Sequence, residues 1–504
     1  MREHSSDKHT DTGTVEASPA SPEAVTGDAE PSAGSAGDAP APPAASWGAL
    51  FAKPHRTAVI VMAGGVALYA MNLYFTASLL PSVVAELGGR QFYAWASTAY
   101  LIAAVTATMF TGRVLGARGS GGSYVIAYLV FAAGTALAAC SPAMQLLVAG
   151  RAVQGLGAGL LTGLGFATIR AVLPSELWTR ATGLVSAMFG VGTLFGPALG
   201  GLFAQFGAWR AAFAALAGVA ILLVFVTARA LPRERPEQPA RTPIPFPSIV
   251  ALAVTAALLS LSSTLSGAWI PLTIAGALAL LLLFFALDAR NPNGVLPRLA
   301  YVRGNPLKWV YLTVAGLCAG ITAENFIPLF GQQLAGASPI VAGILGAAPS
   351  VGWTTAQVLS VSAGERMARA RVRTGPVVVV AGFAAYGLLQ RADAGWADLA
   401  IWAVLLFLAG AGVGMAYPHL SVAAMRASDD PAEGAKAAAA VSTTQLVAFT
   451  LTSAIAGNLL AFGGDSPLAS AQWLILGVTA LTALGIPAAL LAMRGRREAG
   501  RERV

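Results

Sequence analysis

GVGTLFGPALGG, Gly190 to Gly201, sets glycine at every fourth position of an apolar run and a proline within it. On a helix, Gly192, Gly196 and Gly200 share one face, a strip of bare backbone against which a neighbouring helix can lie close. Pro197 cannot donate to the carbonyl of Thr193, so the helix is expected to bend there. With its flanks the run reaches from about residue 182 to 204, the length that crosses a bilayer.

Composition extends that reading to the whole chain. Of its 504 residues 56% are hydrophobic and 11% charged, with mean hydropathy +0.68, whereas soluble domains carry about 25% charged residues. Roughly fourteen apolar runs of about 20 residues lie between residues 57 and 493. Each is expected to be a helix, because an isolated strand cannot satisfy its backbone in lipid. The runs near 247–265 and 269–287 are short or rich in hydroxyls. Cys140 and Cys318 both stand in apolar runs and are expected to be free thiols, with no disulfide and no metal site.

Residues 1–46 are a different material, rich in Ala, Ser, Pro and Gly, with eight acidic residues against Arg2 and Lys8. That composition reads as a disordered cytoplasmic tail and not a signal peptide. The remaining chain holds 29 basic residues against 15 acidic. The excess does not point to nucleic acid, because it is concentrated in alternate loops, as at Arg229, Arg233, Arg235 and Arg241, or Arg366, Arg369, Arg371 and Arg373. Arg90, Arg210 and Arg391 fall in the opposite loops. The positive-inside rule then puts both termini in the cytoplasm, with the protein in the plasma or inner membrane.

A second glycine-faced helix opens RAVQGLGAGLLTG, where Arg151, Gly155, Gly159 and Gly163 recur every fourth residue. Spacing alone fits tight packing and also two helices that rock against each other. RAVQGLGAG resembles the fourth-helix motif of the major facilitator superfamily, and GVGTLFGPALGG is similar to the fifth-helix motif of its antiporters. WASTAYLIAA (Trp95 to Ala104), WRAAF (Trp209 to Phe213) and SPIVAGILGAAPSVG (Ser338 to Gly352) extend the resemblance over nearly everything after residue 57. Within that family the chain is most similar to the fourteen-helix drug/proton antiporters. The resemblance implies an all-α membrane protein with six-helix bundles at 47–230 and 301–494, a linker with two inserted helices at 231–300, and a basic tail at 495–504. It further implies a central cavity and alternating access, with a proton gradient in place of a cofactor.

Two departures from the family pattern matter. The loop GRVLGARGSGG, Gly112 to Gly122, has Gly116 where the family carries an aspartate, so its charge lock is expected to be missing or replaced. Alignment on Pro81 puts Asn72 where this branch has a membrane-embedded aspartate.

Glu324 interrupts GLCAGITAENFIPLF (Gly316 to Phe330), with no charged residue for more than a dozen positions either side. A charged carboxyl deep in a membrane helix costs about 2.5 to 3.5 kcal/mol, a cost that usually marks function. At about 1.5 Å per residue, Asn72 lies ~12 Å, and Arg151 and Glu324 each ~10 Å, from the outer ends of their helices. In the resembled fold these helices line one cavity. Glu324 with Arg151 is the expected proton-coupling pair, and Asn72, Gln154, Tyr69, Asn325 and Phe326 are expected to line the substrate cavity. Tyr74, Phe75, Trp309 and Tyr311 are further candidates for an aromatic wall. Gly155, Gly159, Gly192, Gly196, Pro197 and Gly200 form the conformational motifs. Two structural readings compete for Glu324: a permanent ion pair with Arg151, or a protonated donor to Asn72 or Asn325. His419, after Pro418, reads as an interfacial structural residue.

Nothing in the sequence resembles an enzyme. The leading expectation is a monomeric, proton-coupled exporter of amphipathic small molecules. The alternatives are a carrier for a specific, possibly anionic metabolite without proton coupling, for which Arg151 is the counter-charge, and a non-transporting membrane sensor.

Overall fold

The structure, a computed structural model, describes residues 47–174, 177–231, 245–265, 267–291, 294–360, 365–428 and 431–493. The tails at 1–46 and 495–504 and the loop arginines Arg233, Arg235 and Arg241 lie outside the described residues. The fold is helical. Ahead of the central linker lie α1 (Lys53–Leu87), α2 (Tyr93–Ala139), α3 (Met144–Ala167), α4 (Trp178–Gln205) and α5 (Trp209–Ala230). The inserted pair is α6 (Phe246–Ser262) and α7 (Trp269–Arg290). Then come α8 (Leu307–Thr322), α9 (Ile327–Ala335), α10 (Pro339–Ser360), α11 (Glu365–Leu388), α12 (Trp396–Met425), α13 (Pro431–Phe462), α14 (Pro467–Ala483) and α15 (Gly485–Ala492).

Ten helices among the described residues are long and apolar enough to cross a membrane, with α6 a shorter apolar helix beside them. The expected fourteen runs do not map one to one onto these helices. The 47 residues of α2 would span about 70 Å, twice the ~30 Å of a bilayer core. Gly119 divides it: at φ 67° and ψ 179° its backbone is not helical, and its positive φ is one that only glycine adopts without strain. The second and third apolar runs are the two limbs of this element. The ninth run is likewise divided, into α8 and α9, by a single 3₁₀ turn over Ala323–Phe326.

Glycine governs how the helices meet. α3 lies between the limbs of α2 with a different glycine row toward each. A Cβ on Gly155 would stand 2.3 Å from the Tyr100 carbonyl oxygen, and one on Gly159 2.1 Å from that of Ala104, both on the first limb. One on Gly157 would stand 2.3 Å from the Phe131 amide of the second limb. The later helices repeat the device, with α12 between α10 and α11. There Gly410 meets the Pro349 carbonyl, Gly414 that of Trp353, and Gly412 that of Gly375. α3 is thus clamped by backbone contact to both limbs of α2, and α12 to α10 and α11.

The halves themselves touch in two pseudo-equivalent places. A Cβ on Gly201 of α4 would lie 2.6 Å from the Pro339 carbonyl oxygen of α10, and one on Gly343 2.4 Å from that of Pro197. On the other side Gly457 of α13 abuts Ala94 of α2, and the Thr98 hydroxyl donates to Ser453 at 3.0 Å. These contacts lie toward the end of the molecule where α1 stops, at Leu87, and α10 begins.

The inserted pair fills the second seam. Ile249, Leu252 and Phe284 form a separate apolar cluster with Val105 of α2, against which Leu446 and Leu451 of α13 pack. Asn458 of α13 ties α6 down, accepting from the Ser262 hydroxyl at 2.8 Å and donating to the Leu259 carbonyl at 2.7 Å. At the far end of α7 the buried Asp288 carboxylate accepts from the amides of Val295 (2.6 Å) and Leu296 (3.0 Å) and from the Tyr301 hydroxyl (3.0 Å). Burial beside Asp288 pushes the Tyr301 hydroxyl above its ordinary pKa.

Candidate transport site

The buried Arg151 and Glu324 each centre a polar cluster, one in each half. The first is built on α3. Arg151 is 0% exposed, at the head of the glycine row that draws α3 against α2. Its Nε donates to the Ala96 carbonyl at 3.1 Å, while Nη1 donates to the side-chain oxygens of Asn72 and Gln154. The Tyr100 ring covers the guanidinium, with its centroid 4.1 Å from Cζ. Gln154 passes the network on, donating to the Thr135 hydroxyl at 2.6 Å. Tyr69 stacks on Tyr100 with ring centroids 6.1 Å apart, and its carbonyl accepts from the Tyr100 hydroxyl at 3.3 Å. Four expected residues, Tyr69, Asn72, Arg151 and Gln154, therefore form one assembly.

The second group is built on the 3₁₀ turn. Glu324 is 1% exposed, and its Oε1 accepts from the Ser350 hydroxyl of α10 at 2.6 Å. Oε2 has no hydrogen-bond partner. α1, which carries the buried Tyr74, packs against this turn from the other half. Asn325 donates to the Thr322 carbonyl at 3.3 Å and leaves its own oxygen unpartnered. Phe326 packs on Tyr93, ring centroids 5.4 Å apart, which ties this turn to α2.

Arg151 and Glu324 do not pair in this conformation. Ion pairs among the described residues join Arg210 to Glu86, Arg391 to Asp398 (2.6 Å) and Arg426 to Glu365 (3.2 Å), all near helix ends. A permanent Arg151–Glu324 brace is therefore absent here, and so is an ion pair on Arg113 or Arg118 of the loop that lacks its acidic residue. Trp309 and Tyr311 stand at the opposite end of α8 from Glu324, where the Tyr311 hydroxyl is taken by the Ala437 carbonyl at 2.8 Å. His419 lies 2.9 Å from the Ser360 hydroxyl, which fits a structural role.

The residues that sequence reasoning missed are the hydroxyl partners. Ser350 lies inside the quoted fragment SPIVAGILGAAPSVG, yet nothing in that fragment marks it as a partner of Glu324. Thr135 and Tyr100 carry no local signal beyond being polar in apolar runs. The conformational glycines fall into place: Gly192, Gly196 and Gly200 seat α4 on Ala70, Met71 and Phe75 of α1, and Pro197 presents its carbonyl to Gly343. Cys140 and Cys318 are free thiols.

Residues 62–430 match the sequence profile of the Major Facilitator Superfamily. A probable multidrug-efflux transporter of Mycobacterium tuberculosis is 40% identical over 461 residues, covering 90% of this chain and 98% of the relative. A multidrug transporter of Bacillus subtilis is 24% identical over 366 residues, 70% of this chain and 66% of its own length. Among solved structures, a nucleoside transporter superposes with TM-score 0.63 at 12% identity, over 87% of this chain and all of that one. A peptide transporter superposes with TM-score 0.63 at 15% identity, over 90% and 98%.

Proposed function

The chain belongs to the major facilitator superfamily, and from that membership we propose that it exports amphipathic small molecules across the cell membrane in exchange for protons. The multidrug-efflux relative at 40% identity supports the substrate class. A proton gradient is its energy source, with no cofactor. The chain crosses the bilayer fourteen times: α2 contributes two crossings, α8 with α9 and α14 with α15 one each, and each other helix from α1 to α13 one. Both termini face the cytoplasm, and the protein works as a monomer built of bundles 47–230 and 301–494, with the linker 231–300 between them.

One observation carries proton coupling: a carboxyl 1% exposed in the membrane interior, held by a single hydroxyl on Oε1 and with Oε2 unpartnered. An ionised carboxylate so placed lacks the donors that would offset its desolvation, whereas a protonated one loses little. Rocking of the halves moves Tyr74 relative to Glu324 and changes the access of water to the carboxyl. Opening toward the Leu87 end admits a proton from outside; opening toward the other end releases it and admits drug. Arg151 holds a fixed positive charge in the opposite half, which favours release when the carboxyl approaches it.

Glu324→Gln tests the assignment in inverted vesicles given a cationic dye from outside under an imposed, acid-inside pH gradient. The variant should lose gradient-driven dye transport at least tenfold while keeping downhill dye exchange. Wild-type transport by Glu324→Gln under the gradient would place coupling elsewhere.

A further inference from the structure

Arg151 is a buried cation without a buried anion. Its guanidinium carries five N–H bonds. Nε gives its hydrogen to Ala96, and Nη1 gives both of its own to Asn72 and Gln154, all neutral acceptors. Nη2 has no acceptor, and neither has Nδ2 of Asn72, whose side-chain oxygen accepts from Nη1 of the same guanidinium. Both residues are 0% exposed. Four hydrogens on two adjoining groups thus lie in the membrane interior with nothing to receive them.

No neighbouring group takes these hydrogens. The Gln154 amide nitrogen is itself a donor, to Thr135 at 2.6 Å, and the Thr76 and Tyr100 hydroxyls, which donate to the Asn72 oxygen at 3.3 Å and to the Tyr69 carbonyl, accept from neither Nη2 nor Nδ2. The Tyr100 ring offers only its face. No carboxylate among the described residues pairs with Arg151, and Glu324 is held by Ser350 in the other half. Desolvating a guanidinium costs several kcal/mol after relaxation, and unsatisfied donors add to that cost.

We infer that Nη2 of Arg151 and Nδ2 of Asn72 form a binding site for one small monovalent anion, either a halide ion or the carboxylate group of a transported compound. A single negative charge neutralises the site, and a divalent anion would leave an excess. Nη2 belongs to α3 and Nδ2 to α1, so an occupant held by both bridges the two helices. The role of this site in turnover rests on the exporter reading above; anion binding does not. A carboxylate source widens the substrate class to zwitterionic and acidic compounds, which Arg151 would hold while Glu324 carries the proton.

The test is thermal unfolding of the purified full chain in detergent, titrated with sodium chloride, sodium bromide or sodium acetate. The control is Asn72→Asp, which supplies the negative charge covalently at the same place and cancels salt effects common to both proteins. For wild type, a saturable rise in melting midpoint of roughly 1 to 2 °C is expected at an anion concentration ten times Kd. In Asn72→Asp the rise should vanish. If that variant fails to fold, Asn72→Leu, which removes the orphan amide, should raise the half-saturating concentration at least fivefold. Chloride and bromide acting alike identify a halide site, and acetate acting alone identifies a carboxylate site. No saturable rise with any of the three, or equal rises in wild type and Asn72→Asp, overturns the inference. Dye export by wild-type vesicles separates the two readings. Anion binding without dye export sinks the exporter and leaves the site, and dye export without anion binding does the reverse.

Discussion

Gly343→Ala acts where the two halves meet. Its Cβ would stand 2.4 Å from the carbonyl oxygen of Pro197 and 3.2 Å from the carbonyl carbon, both backbone atoms that no rotamer change can move away. Restoring an ordinary C···O separation of about 3.3 Å requires α4 and α10 to part by roughly 0.9 Å. Overpacking of this size costs typically about 1 to 3 kcal/mol. The contact exists only while this end of the molecule is closed, so the penalty falls on the closed state. The closed-to-open ratio should then shift about 5- to 150-fold toward open.

Gly159→Ala is the matched control. Its Cβ would meet the Ala104 carbonyl at 2.1 Å, a harsher clash, but α3 and α2 belong to the same half and remain in contact in either state. That variant should lower thermal stability without changing the ratio. Spin labels at Phe206, just after α4, and Trp396, the first residue of α12, 76% and 74% exposed at this end, report the separation by pulsed electron paramagnetic resonance. Gly343→Ala should lengthen the dominant distance and slow dye export at least fivefold, because drug enters from the opposite side. A distance distribution and export rate like wild type in Gly343→Ala would refute the argument, as would an equal lengthening in Gly159→Ala.

Asp288→Asn should loosen the link between α7 and the following helices: a carboxamide has one acceptor oxygen for three donors, so a backbone amide at buried Val295 or half-buried Leu296 loses its partner. That costs about 1 to 3 kcal/mol, and the melting midpoint in detergent should fall by roughly 1 to 3 °C; an unchanged midpoint would show the loop to be held by other contacts. A tag inserted near Asp393 should be reachable only from outside the cell and a tag in the Arg233 to Arg241 loop only from the cytoplasm. A cytoplasmic tag at Asp393 would mean that the orientation read from the basic loops is wrong.

What the sequence revealed, and what it withheld, follows from how each residue type can satisfy itself in lipid. A guanidinium or a carboxyl cannot be satisfied by its own helix, so Arg151 and Glu324 stand out in the bare sequence against their apolar neighbours. Hydroxyls give no such signal. Thr106, Thr255 and Thr322 each donate to the carbonyl four residues back, at 2.8, 2.7 and 3.0 Å, and need no tertiary partner. Ser350 and Thr98 look the same in sequence, yet they bond across helices to Glu324 and Ser453. Glycine is ambiguous for a related reason. Spacing of four showed that Gly155 and Gly159 form a groove, but a missing Cβ does not name the neighbour it admits. Hence Gly159, which fixes the interior of one half, and Gly343, which sets how the halves close, read alike in sequence and differ only in the carbonyls they meet. Helix count fails differently. Apolar runs record lengths of lipid-compatible chain, while hydrogen bonding continues through the turn at Gly119 and changes from α to 3₁₀ around Glu324, in the middle of one such run. That transition leaves the carboxyl on a 3₁₀ turn between two short helices, where a small rotation of α9 against α8 can change what faces Oε2 without breaking a long helix.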